Sequence, residues 1–209
     1  MILIGQYDSS FVRRIGIALR LYDIPFEHRP WSVFSDSEKV QSVNPLMRVP
    51  TMILDDGDVL VDSPSMLDYL DGLMPEECRL FPAREPERQR AIRIAALATG
   101  MADKGVSLFY EMRLHEEPAV DWADRLKRQI LAAAAALEEA RGHRESGDFW
   151  GDGGIGHCDI AVACAWRHVS EAHPGLLDEA LYPKLAGFCR RLESLPVFRE
   201  ISQPFIAPA

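Results

Sequence analysis

Two adjacent serines, Ser9 and Ser10, stand where the sequence can place a hydroxyl beside an anion. They follow a short apolar run, residues 2–4, that predicts a strand, and they precede a helical pattern over residues 11–21. At a helix N-terminus the unpaired backbone N–H groups carry partial positive charge. A serine hydroxyl there can donate a hydrogen bond to an anion such as a thiolate. Serine is also a common N-cap, so a purely capping role is the alternative.

A second polar pair, Asp62 and Ser63, directly precedes Pro64. A capping residue followed by a first-turn proline predicts the start of another helix. Ser63 at that N-terminus suits the binding of a carboxylate, and Asp62 can accept a hydrogen bond from an ammonium group. Here too a plain N-cap is the alternative.

The elements that must position these residues differ between the two parts of the chain. Up to about residue 82, short apolar runs alternate with Pro, Asp and Gly, which predicts the order β-α-β followed by β-β-α. Strands are expected over residues 2–4 and 26–31. Residues 51–54 and 59–61 flank the turn sequence DDGD and predict a hairpin.

From about residue 87 the pattern is entirely helical. Helices are predicted over residues 88–113, 122–140, 159–172 and 179–195, with a flexible break over 151–156. The boundary between the two parts is expected within residues 81–86, which include two prolines.

Composition excludes several classes of partner. Across 209 residues, 32 acidic side chains outnumber 23 basic ones, for a net charge of -9. A nucleic acid or an anionic membrane would need a surplus of Lys and Arg, so neither is expected as a partner. No apolar stretch approaches the length of about 20 residues that a membrane span needs, and the expected location is the cytoplasm. The cysteines lack metal-ligand spacing, so we expect no metal and buried, reduced thiols at Cys78, Cys158, Cys164 and Cys189.

An ordered set of motifs resembles the cytosolic glutathione transferase family. The set consists of YDSSFVR (residues 7–13), NPLMRVP (44–50), DSPSMLDYL (62–70), and GDGG (151–154) followed by DIA (159–161). The resemblance covers nearly the whole chain. It implies a fold class of α/β plus all-α, with a thioredoxin-like glutathione-binding domain over residues 1–80 and an all-helical domain over 87–209. It also implies glutathione as co-substrate and a homodimer.

By this resemblance Ser9 is the catalytic serine, and Ser10 replaces the proline of relatives that read Ser-Pro-Phe. Ser10 and Tyr7 remain rivals for contact with the thiolate. The Val49–Pro50 bond is expected to be cis, so that the Val49 N–H and C=O pair with the cysteinyl unit of glutathione as if the tripeptide extended the sheet.

The same resemblance assigns the two ends of glutathione. Ser63 would bind the γ-glutamyl carboxylate, and Asp62, where relatives carry Glu or Gln, would accept from the γ-glutamyl ammonium. For the glycyl carboxylate the nearest cations are Lys39 and Arg48, since residues 35–38 are acidic. Asp159, three residues after Gly156, is interpreted as a folding device at a helix start.

The second substrate is expected to be an apolar electrophile held between the two domains. Candidates to line its pocket lie on the first long helix: Met101, Val106, Phe109, Tyr110 and Met112. Trp31 and Trp166 are weaker candidates, and an apolar helix stripe can equally be core. The predicted activity is conjugation of glutathione. Glutathione-dependent isomerisation, reductive cleavage and a non-catalytic binding role are the alternatives.

Overall fold

The computed structural model describes residues 1–143, 147, 149–151 and 154–207. Its N-terminal part contains a four-stranded sheet and three helices, in an order that confirms the predicted β-α-β and β-β-α pattern. The elements are β1 (Ile2–Ile4), α1 (Ser10–Leu21), β2 (Glu27–Arg29), α2 (Ser37–Val43), β3 (Thr51–Ile53), β4 (Val59–Val61) and α3 (Ser63–Gly72). A 3-10 turn, Glu76–Cys78, follows them.

The register of the sheet brings three separate segments together. The strand order is β2-β1-β3-β4, with β1 parallel to β2 and antiparallel to β3. Ile4 pairs with Thr51, and Thr51 pairs with Val61 on its other side. Therefore the end of β1, the start of β3 and the end of β4 lie at one edge of the sheet. Residues 5–9, 48–50 and 62–63 consequently emerge side by side.

Gly5 allows the closest of these approaches. It has a φ of 127°, and a Cβ built on it would lie 2.8 Å from the Val49 Cβ and 2.5 Å from the Val12 Cγ2. Any side chain here would push β1 away from the segment before Pro50.

The remainder of the described chain is helical. It comprises α4 (Glu87–Leu114), α5 (Val120–Gly142), α6 (His157–Ala172), α7 (Pro183–Glu193) and α8 (Pro196–Glu200). Helix α6 is buried along most of its length and packs against α1, α4 and α7. Asp159 accepts hydrogen bonds from the Gly156 N–H at 2.8 Å and the Trp150 N–H at 2.7 Å, as expected of a residue that organises the helix start. The GDGG motif lies partly outside the described residues.

Several local predictions were wrong. Helix α7 begins at Pro183 rather than at residue 179, because a proline disfavours helical backbone at the residue before it, and Tyr182 is extended in φ at -129°. The short helix α2 was not predicted, since Val40 is its only buried residue and no apolar period marks it. Cys78 is exposed, whereas the other three cysteines are buried, and all four are free thiols.

Buried polar contacts join the two parts. The Asp71 carboxylate at the end of α3 accepts hydrogen bonds from the Tyr22 hydroxyl, from His157 Nε2 at 2.7 Å and from the Phe81 N–H at 3.3 Å. Burial alone would raise the pKa of Asp71, but these hydrogen bonds, led by His157, hold it below its usual value. Burial also lowers the pKa of His157, which favours the neutral imidazole as donor.

Within the part of the chain that the structure describes, no helix combines the length and the apolar character needed to cross a bilayer.

Candidate active site

A cavity of about 1190 Å³ opens between the edge of the sheet and the helical part. One wall is formed by the segments after β1 and before β3. The opposite wall is formed by one face of α4, by His168 of α6 and by the C-terminal tail. The lining residues that carry the argument are Asp8, Ser9, Arg48, Val49, Phe109 and Phe205.

Ser9 reaches the cavity and also caps α1. Its Oγ accepts a hydrogen bond from the Val12 N–H at 3.5 Å, so the capping interpretation is correct as far as it goes. Accepting that bond uses an oxygen lone pair and leaves the hydroxyl hydrogen able to donate into the cavity. Capping and anion stabilisation are therefore compatible in one side chain.

The structure brings neither rival, Ser10 or Tyr7, to the cavity. Ser10 is buried, and its Oγ has no hydrogen-bond partner among the described residues. The Tyr7 ring stacks on His28, with centroids 3.9 Å apart, and its edge abuts Gly16 on α1. Burial raises the pKa of Tyr7 to about 12, which makes it a poor proton donor or acceptor at neutral pH.

The Val49–Pro50 peptide bond is cis, as the resemblance implied. Val49 and Arg48 line the cavity, whereas Pro50 lies behind them. Asn44, fully buried, holds this loop: its Nδ2 donates to the Arg48 carbonyl at 3.0 Å and to the Thr51 Oγ1 at 2.9 Å. The sequence analysis named Asn44 only as part of a motif and missed this function.

Asp62 and Ser63 lie at the same edge of the sheet but do not line the cavity. Asp62 has a φ of 70° and caps α3, its Oδ1 accepting from the Ser65 N–H at 3.2 Å. Ser63 is 2% exposed, and its Oγ accepts a hydrogen bond from Nη1 of Arg14 at 3.5 Å. Of the two candidate cations, Arg48 lines the cavity, whereas Lys39 pairs with Asp36 at 2.6 Å.

The electrophile wall agrees only in part with the sequence expectation. Val106, Phe109 and Tyr110 line the cavity from one face of α4. Met101 does not, because it lies on the opposite face of the helix, in the hydrophobic core, where it is 1% exposed. Met112 is 53% exposed and also outside the cavity.

Of the two tryptophans, Trp31 lines the cavity. Trp166 is buried in the helical core, with its ring edge against Tyr182. An apolar stripe is therefore a poor guide to which helix face meets a ligand.

The C-terminal tail forms a part of the wall that the sequence analysis did not anticipate. Phe205 and Ile206 line the cavity, and the Phe205 ring meets that of Phe109 edge-on at 5.3 Å. The Ile206 N–H donates to Asp8 Oδ2 at 3.1 Å, and the Phe205 N–H donates to Glu171 Oε2 at 3.0 Å. No local pattern in the last residues predicts this placement, since it depends on contacts with side chains far away in sequence.

Asp8 is a second functional candidate that the sequence analysis missed. Its carboxylate lies beside Ser9 in the cavity wall, and burial raises its pKa. Its carbonyl lies 3.0 Å from His168 Nδ1. Because a carbonyl only accepts, Nδ1 must carry the hydrogen, and burial keeps the pKa of His168 below its usual value.

Taken together, the cavity offers a hydroxyl donor and an exposed peptide edge on one wall, and aromatic side chains on the other. Such a site can hold an anion against an apolar ligand. No cluster of side chains suited to a metal ion is present among the described residues.

Comparison with known proteins identifies the family. Residues 3–77 match the model for the glutathione S-transferase N-terminal domain, and residues 120–191 match the model for its C-terminal domain. An uncharacterised GST-like protein of Escherichia coli K12, YibF, is 31% identical over 166 residues, which cover 79% of this chain and 80% of the relative. The chain therefore belongs to the glutathione S-transferase family. The thioredoxin-like N-terminal domain and the helical C-terminal domain are confirmed.

Two further relatives bear on the site. A glutathione S-transferase from Methylobacterium radiotolerans, solved in complex with glutathione sulfonate, superposes with a TM-score of 0.88 at 28% identity, covering 100% of this chain and 98% of that one. Mouse maleylacetoacetate isomerase is 27% identical over 210 residues, covering 97% of this chain and 92% of the relative.

Proposed function

We propose that this chain is a glutathione transferase in which the Ser9 hydroxyl stabilises the thiolate of bound glutathione. The observation that carries the proposal is the cavity itself. Ser9 and Val49, from separate segments at one edge of the sheet, face Phe109 and Tyr110 across it. A tripeptide thiol on the first wall would meet an apolar electrophile on the second.

Glutathione would lie along the edge of the sheet. The Val49 N–H and C=O would pair with the cysteinyl unit, as an added strand would. Arg48 at the cavity surface would receive the glycyl carboxylate. Asp62 and Ser63, next to Pro50 through the β3–β4 register, would receive the γ-glutamyl ammonium and carboxylate. The glutathione complex of the M. radiotolerans relative supports this class of ligand.

The reaction needs the sulfur as an anion. A free thiol has a pKa near 8.5, and lowering it by about two units requires roughly 2.7 kcal/mol of preferential stabilisation of the thiolate. A hydrogen bond from Ser9 at the N-terminus of α1 is an interaction of that kind. The thiol proton leaves to solvent, the thiolate forms a bond to the electrophilic carbon, and the leaving group departs with its electron pair.

The test is Ser9→Ala, with Ser10→Ala as the matched control. We expect kcat/KM for an aryl halide to fall about 100-fold at neutral pH, because the ionised fraction of the thiol falls with its pKa. Calorimetry should show that glutathione still binds, and ultraviolet absorbance of the thiolate should move to higher pH. Ser10 is buried and unbonded outside the cavity, so Ser10→Ala should leave both readings unchanged. Unchanged turnover in Ser9→Ala would remove Ser9 from the mechanism.

Glutathione-dependent isomerisation is the second candidate, favoured by the similarity to mouse maleylacetoacetate isomerase over nearly the whole chain. The thiolate would add to the substrate and be expelled again after rotation, so glutathione would be regenerated. Product analysis with maleylacetoacetate separates the two activities, since conjugation consumes one glutathione for each product. An absence of heat with millimolar glutathione would instead favour a non-catalytic protein.

A further inference from the structure

Two consecutive arginines on α1, Arg13 and Arg14, are both buried but differ in how their charge is balanced. Arg13 donates from both terminal nitrogens to the Glu193 carboxylate, at 2.6 and 2.8 Å. It also donates to the carbonyls of Ile201 and Phe198, each at 2.8 Å. Its role in joining α1 to the last helices is therefore complete.

Arg14 has no such set of partners. It is 3% exposed, and among the described residues its one hydrogen bond runs from Nη1 to the Ser63 Oγ at 3.5 Å, while its Nε has no partner. No carboxylate oxygen of the described chain lies within ion-pair distance of it. Asp62 acts on it only from a distance, being exposed and capping α3 through the Ser65 N–H. A buried cation without a counter-ion is costly, which indicates that the counter-ion comes with a ligand.

The direction of the contact identifies that ligand as an anion. Ser63 is the first residue of the ten-residue helix α3, whose N-terminus already favours negative charge. Because the Ser63 Oγ accepts from Arg14, its hydroxyl hydrogen is left to donate away from Arg14. The guanidinium and the helix N-terminus thus converge on one hydroxyl.

We infer that Arg14 is a positioning residue for the γ-glutamyl carboxylate of glutathione, orienting the Ser63 hydroxyl and supplying the buried positive charge that this carboxylate neutralises. The inference rests on the proposed function, since it assigns a role toward the same ligand. Burial lowers the pKa of Arg14 to about 10, so the side chain stays charged at neutral pH.

Calorimetry with two ligands tests this role. One is glutathione, and the other is γ-aminobutyryl-cysteinyl-glycine, which lacks only the γ-glutamyl carboxylate. In Arg14→Met we expect affinity for glutathione to fall about tenfold, as for loss of a charge-assisted interaction, and affinity for the analogue to change less than about twofold. A merely structural arginine would weaken both ligands equally.

Two further variants keep the test decisive. Arg14→Lys retains the charge and should recover part of the preference for glutathione, even if Arg14→Met folds poorly. Arg20→Met, on the exposed face of the same helix where Arg20 pairs with Glu200, should leave both affinities unchanged. Equal weakening of both ligands in Arg14→Met, or no weakening of either, overturns the role of Arg14. Failure of the unaltered protein to bind glutathione overturns the proposed function itself.

Discussion

The two walls of the cavity are built in different ways. The sheet-edge wall, with Ser9 and Val49, is made of backbone turns fixed by strand register and by the buried Asn44 side chain. The wall formed by α4 and the tail consists of side chains, with Phe109 and Phe205 meeting edge-on. A wall made of backbone depends little on the identity of its side chains, whereas a wall of side chains changes with each substitution. The first wall therefore suits an invariant ligand, and the second suits selection among electrophiles.

The largest effect is expected where both walls depend on the same contact. Asp71→Ala removes the acceptor for Tyr22, His157 and the Phe81 N–H, at the junction between the two parts. Leaving buried donors unpaired should lower the free energy of unfolding by about 3 kcal/mol. Urea denaturation measures the loss, and KM for both substrates should rise together.

Asp68→Ala is the matched control, since Asp68 lies on the exposed face of α3. It should change the free energy of unfolding by less than about 0.5 kcal/mol. An effect on only one substrate in Asp71→Ala would contradict the view that this network supports both walls.

Phe205→Ala separates the walls. Loss of the ring that meets Phe109 should cost about 1–1.5 kcal/mol of electrophile binding, which is roughly a tenfold rise in KM for an aryl electrophile. Glutathione affinity should not change, because the sheet-edge wall is untouched. Steady-state kinetics with each substrate varied in turn gives both numbers. Met112→Ala, outside the cavity on the same helix as Phe109, should alter neither of them.

The smallest effect is expected at Asp8, where the tail meets the sheet-edge wall. An ionised Asp8 near the thiolate raises the pKa of the glutathione thiol by like-charge repulsion. Asp8→Asn removes that charge but keeps an acceptor for the Ile206 N–H, so the acidic limb of the kcat/KM profile should move to lower pH by about half a unit.

The control for this shift is Asp103→Asn. Asp103 also lines the cavity, but it lies on α4 and pairs with Lys104 at 2.8 Å, so its profile should stay in place. A shift to higher pH in Asp8→Asn would mean that the Asp8 carboxylate assists ionisation instead of opposing it.

Much of the sheet-edge wall could be predicted from the sequence. Ser9 and Ser63 each stand next to a helix start, and the DDGD turn predicts the hairpin that aligns Pro50 with Asp62. The electrophile wall could be predicted only in part. Met101 and Tyr110 belong to the same apolar pattern on α4, but which one faces the cavity depends on how α6 packs against that helix.

The sequence by itself determined the local elements, the family resemblance and the residues that start each helix, because capping, turns and periodicity act over a few neighbouring positions. Only the tertiary structure decided that Phe205 reaches Phe109, that Asp8 holds the tail, and that Arg14 rather than Arg13 lacks a carboxylate. These contacts join residues far apart in the chain. Their formation depends on the packing of whole helices, which no short stretch of sequence encodes.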